Sequence, residues 1–139
     1  MPTQVRILSA ALSKKKVVDI GQIRFIVKKK MRYDSLGDWY DSGKIDVYTG
    51  LNKTERLAVA VHELIEMALL HLKGVRQKQV DKWDTKNWTV AFNPKMYDND
   101  ARYKAAHRYA EKVERKIIET AGINWKKIRQ KSNGLESAQ

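Results

Sequence analysis

The chain has 139 residues, 42% of them hydrophobic, no cysteine, and a formal net charge of +12 from 28 Lys+Arg against 16 Asp+Glu. That length and composition suit one domain with a genuine core, here taken as residues 1–139 with flexible ends at about 1–18 and 131–139. The absence of cysteine excludes a disulfide framework and a thiolate metal site, so any metal must be held by His, Asp or Glu.

The charge is unevenly spread. Residues 1–50 carry ten basic and five acidic residues, residues 51–100 eight and seven, and residues 101–139 ten and four. The basic ends suit nucleic acid or an acidic partner, with plain solubility as the alternative use. In "MPTQVRILSAALSKKK" the lysines follow the short apolar run, the reverse of a secretory signal, and no apolar stretch approaches a membrane span. The expectation is a soluble cytoplasmic protein with no membrane partner, in the host cytoplasm if phage-encoded.

In chain order, "GQIRFIVKKK" (residues 21–30) reads as a strand, with Ile23, Phe25 and Val27 alternating against Gln22, Arg24 and Lys28. "DSLGDWYDSG" (residues 34–43) is dense in Asp, Ser and Gly and reads as a turn or loop. "KIDVYTG" follows as a second short strand, and two strands joined by a loop of roughly ten residues suggest an antiparallel pair. Asn52 and Glu55 form a capping-box pattern, which predicts a helix from there to about Lys73, closed by Gly74 in a left-handed cap. The segment from Val75 to Asp100 holds Trp83, Trp88, Phe92 and Pro94 without a clear period, and suggests a short helix around "QKQVDKWD" followed by an ordered loop. Asp98, Asn99 or Asp100 can then cap a long helix ending at Gly122. "INWKKIRQ" reads as one more helical turn or a packing tail.

The helix "LAVAVHELIEMALLHL" (residues 57–72) poses the chemical question. It is apolar on nearly every side, as buried helices are, yet holds His62, Glu63 and Glu66 in its middle. At 100° per residue Glu66 lies about 40° and Glu63 about 100° from His62. An ionised carboxylate in such surroundings costs several kcal/mol unless it is paired or coordinates a metal. A cation is the simplest resolution, and its further ligand must come from elsewhere.

His107 is the candidate. It stands at the edge of the apolar stripe Tyr103, Ala106, Ala110, Val113, Ile117 and Ala121 on the long helix. If the two helices pack stripe to stripe, His62, Glu66 and His107 converge as a two-histidine, one-carboxylate set, the ligand set of hydrolytic zinc sites with an open position. Glu63, beside a ligand, can act as general base, the catalytic residue of the set. Glu114 returns to within about 20° of His107 and suits an outer role or a fourth ligand; Glu111 lies about 40° to the other side. Tyr103 either polarises a substrate carbonyl or packs in the core.

His71 lies opposite His62 on its helix and is excluded as a ligand; it suits the negative end of the helix dipole. Asp81 and Asp84 read as turn caps or outer acceptors. Trp83, Trp88 and Trp125 beside lysines read as core packing or as stacking platforms for bases.

"VHELIEMALLHL" resembles the active-site helix of zincin metallopeptidases, above all the small gluzincin-like proteins of bacteria and phages. In those a strand precedes the helix and a later helix supplies the last ligand. A similar "HELIE" stretch also resembles small phage proteins of unassigned function. The resemblance covers Lys44 to Leu72 and, more loosely, Ala101 to Ala121. It implies a Zn2+ site, or a site for another divalent metal, with Glu63 as general base and a peptide or protein substrate. The chain departs from the family in carrying H-E-x-x-E with a downstream His where the family has H-E-x-x-H with a downstream Glu. The fold class expected overall is α+β: a small antiparallel sheet with a buried active-site helix and a long partner helix. The expected function is a metal-dependent hydrolase. The alternative is a basic nucleic-acid-binding or partner-inhibiting protein whose metal site is structural or vestigial.

Overall fold

The computed structural model describes residues 21–32, 35–88 and 100–127, with side chains to residue 83 in the middle segment. The expected flexible ends, the side chains of Asp84 and Trp88, and Phe92 and Pro94 lie outside the described residues.

The architecture is α+β. Strands β1 (Arg24–Lys28), β2 (Gly37–Trp39) and β3 (Lys44–Tyr48) precede helices α1 (Lys53–Leu72), α2 (Gln77–Trp88) and α3 (Ala101–Thr120). The sheet order is β1-β3-β2. β3 pairs antiparallel with β2 (Trp39 opposite Ile45) and parallel with β1 (Phe25 opposite Ile45). The expected antiparallel pair of β1 and β3 is therefore corrected to a mixed sheet. The stretch read as a loop contains a third strand, β2, and that extra pass of the chain makes β3 run parallel to β1.

The capping box opens α1. The Asn52 side chain accepts from the Glu55 amide at 2.9 Å, and the Glu55 carboxylate accepts from the Asn52 amide at 2.9 Å. Gly74, at φ 72°, follows the last turn in the left-handed region where a side chain is strained. Asp100 is the residue that caps α3, accepting from the Arg102 amide at 2.8 Å. Residues 125–127 are helical, as expected of a further turn.

α1 packs one side on β2 and β3 and another on α3. Ile45, Val47, Trp39, Val59, Met67 and Leu70 form the centre of the core with Tyr103 and Ala106 from α3. Each such large apolar side chain contributes about 1.5–3 kcal/mol by leaving water. A smaller cluster joins Ala58 to Ile118 near the end of α3. The stripe expected to run on to Ala121 thus shifts to Ile118, and Ala121 is exposed.

The all-round burial expected of α1 is also corrected. Its third side is open: Leu57 is 59% exposed and Leu72 36%. β1 is an edge strand, and its Phe25 and Val27 are half exposed as well. No helix among the described residues is long and apolar enough to cross a membrane.

Candidate metal centre

The side of α1 that faces α3 carries His62 and Glu66. His62 and Glu66 are one turn apart, both buried, and Glu66 is only 5% exposed. α3 brings His107 against them. His107 Nδ1 lies 3.0 Å from Glu66 Oε2, and His62 Nε2 lies 3.4 Å from the same oxygen. The two imidazole rings stand 5.0 Å apart at 70°. One ligand atom from each of His62, Glu66 and His107 falls within 4.8 Å of the others, a spacing at which these three residues could hold a metal ion.

The outer nitrogens of both rings face carboxylates. His62 Nδ1 is 3.3 Å from Glu114 Oε1, and His107 Nε2 is 3.4 Å from Glu111 Oε2. The result is an alternating row, Glu114, His62, Glu66, His107, Glu111, in which each imidazole turns one nitrogen inward and one toward an acid. Metal-binding histidines characteristically have this arrangement, because the outer acid fixes the ring and raises its basicity. Two imidazole nitrogens and a carboxylate oxygen at this spacing are a donor set that suits a divalent ion of the zinc type.

The acids of the cluster favour positive charge on the imidazoles. Burial alone would depress the His62 imidazole, but Glu114 and Glu66 hold it well above its ordinary value. His107 is likewise raised against burial, by Glu111 and Glu66. Burial would lift Glu66, yet His107 and His62 bring it well below the usual carboxylate range. Glu63 goes the other way: burial, then repulsion from Glu66, pushes its carboxyl well above the usual range.

Glu63 lies on the β2 side of the helix. Its side chain crosses directly over Gly37, where a Cβ atom would meet Glu63 Cγ at 2.7 Å and Oε1 at 2.9 Å. Glycine at position 37 is thus what lets the carboxylate settle against the strand.

Two tryptophans, neither expected to serve here, hold the acids. Trp39 Nε1 donates to Glu66 Oε1 at 3.0 Å in a buried contact. Trp125 Nε1 donates to Glu114 Oε2 at 3.1 Å. For Trp39 the sequence carries no usable signal, since it sits in a segment that reads as a loop. Trp125 read only as packing or a stacking platform.

The remaining candidates lie outside the cluster. Tyr103 is buried, stacked on Trp83 at 5.7 Å, and 6.4 Å from the His107 ring between centroids. His71 Nε2 lies 2.8 Å from Asp41 Oδ1. That acid also accepts from the Gln77 amide at the start of α2, so the pair ties the end of one helix to the start of the next. Asp81, read as a cap or outer acceptor, instead pairs with Arg32 at 2.7 Å, and Arg32 also holds Asp38. No protein-family model, no curated protein and no solved structure matches the chain.

Proposed function

We propose that the protein is a metal-dependent hydrolase in which His62, Glu66 and His107 hold a divalent ion, Zn2+ by preference, and Glu63 is the general base. The supporting observation is the row of alternating acids and imidazoles, whose inner atoms converge on one point while its outer nitrogens are backed by Glu114 and Glu111. When bound, the ion would supply Lewis acidity and bring the pKa of water to about 7. His62 and His107 supply neutral nitrogens, which requires each to give up the proton that the surrounding acids favour. Glu63 accepts a proton from the attacking water and returns it to the leaving group. Burial and then the Glu66 charge push the Glu63 carboxyl above its usual range, and a cation held by Glu66 would remove the second of these causes.

A peptide or protein substrate follows from the resemblance of "VHELIEMALLHL" to the zincin active-site helix. Elemental analysis of protein purified without added metal or a histidine tag, followed by peptide hydrolysis with and without chelator, tests the proposal. Near-stoichiometric zinc with chelator-sensitive cleavage is expected; protein that neither retains nor takes up a divalent ion would end the reading.

A second reading rests on the outer face of α3, where Arg108, Lys112 and Lys116 are exposed. Such a face can bind nucleic acid through its phosphates, with the cluster as a structural site. Binding that falls steeply with salt and is unchanged in Glu63→Gln would favour it.

A further inference from the structure

Trp39 stands on β2 with its ring turned toward α1, 3% exposed, edge-on to His71 at 5.3 Å. Its only polar atom, the indole N–H, is spent on Glu66 Oε1. The other oxygen, Oε2, is the one that faces both inner imidazole nitrogens. An indole N–H is a donor and nothing else, and it sits on a ring held in the core. It therefore fixes which carboxylate oxygen is left for an ion.

We infer that Trp39 is a positioning residue that limits Glu66 to one-oxygen ligation, and thereby selects a small four-coordinate ion such as Zn2+ over ions that need more oxygen ligands. This rests on the metal reading of the His62, Glu66 and His107 cluster and deepens it. Two imidazoles and one carboxylate oxygen, with a water as the fourth ligand, would make a tetrahedral set. Mn2+ and Ca2+ favour oxygen-rich sites with more ligands, which a bidentate Glu66 would help to provide. With Oε1 tied to the indole, swinging Glu66 into bidentate geometry would strand a buried N–H donor. The selection thus comes from a residue that itself never touches the ion.

The test is Trp39→Phe, which keeps the aromatic ring and removes the donor. Zn2+ and Mn2+ affinities of wild type and variant are measured by competition with a chromophoric chelator, with circular dichroism as the check on folding. Zn2+ binding should weaken about 10–100-fold, the usual effect of losing an outer partner. Mn2+ binding should change much less, so that the Zn2+ to Mn2+ preference falls at least about tenfold. A variant that binds both ions as wild type does, or loses both equally, would overturn the selectivity role while leaving the metal site standing. Wild type that binds neither ion would overturn both. Should Trp39→Phe fail to fold, a crystal structure of the zinc-loaded wild type decides. Glu66 Oε1 still on the Trp39 indole is the expected result, and both carboxylate oxygens on the ion would refute it.

Discussion

His107 Nδ1 and Glu66 Oε2 lie 3.0 Å apart although 41 residues of chain separate them. This contact joins α3 to the middle of α1, at the level of its buried His62 and Glu66. It turns two groups that would each be costly to bury alone into a single cluster. The contacts around it give separate, measurable expectations.

Removing an inner imidazole should remove the ion. His62→Ala and His107→Ala are each expected to lower Zn2+ affinity by more than about 100-fold, beyond the 10–100-fold typical of outer partners. Isothermal titration on metal-free protein measures this, and full occupancy in either variant would strike that residue from the ligand set.

Glu63→Gln should separate binding from chemistry. The amide keeps the shape of the side chain over Gly37 but cannot take a proton. Zinc content should stay at the wild-type level while turnover falls about 10²–10⁴-fold, the usual contribution of a general base. Turnover within a few-fold of wild type would remove Glu63 from that role.

Gly37→Ala probes the close passage of Glu63 over β2. The added Cβ would lie 2.7 Å from both Glu63 Cγ and the buried Val59 Cγ1, so side chains on α1 must move. Overpacking of this kind costs about 1–3 kcal/mol. Urea denaturation of the metal-free protein gives the number, and an unchanged midpoint would show that the strand yields freely.

The pH dependence of the metal-free protein follows from the cluster's charges. The folded-state pKa values of His62, His107 and Glu63 are raised, so the stability each contributes is complete below its ordinary value (6.5 for histidine, 4.5 for Glu) and is lost as pH rises toward the folded value. Glu66 is depressed, so its contribution holds above 4.5 and is lost on acidification. In the presence of chelator the protein should therefore melt at a lower temperature at pH 8 than at pH 5.5. Added Zn2+ should restore the alkaline loss, and its binding should release protons and tighten as pH rises. A chelated protein that melts higher at pH 8 would contradict the cluster's electrostatics.

Much of this centre is legible in the chain itself. The Asn52 and Glu55 capping box fixes where α1 starts, and its 3.6-residue turn then places His62 and Glu66 on one side before any tertiary contact exists. The scarcity of histidine leaves His107 as the natural partner. Helical periodicity is local, and the residues that set it are neighbours in sequence. The sheet is different. Three residues of β2 are too few to show an alternation, and their pairing is fixed by hydrogen bonds to β3 that only the folded chain makes. The parallel sense of β1, the indole of Trp39 on Glu66 and that of Trp125 on Glu114 all follow from that non-local arrangement. So does the open side of α1, since an apolar helix carries no mark of which neighbours will cover it. The sequence determined which groups can reach a common point along each helix; tertiary packing alone decided that the two helices meet there, and which oxygen of Glu66 is left to face the imidazoles.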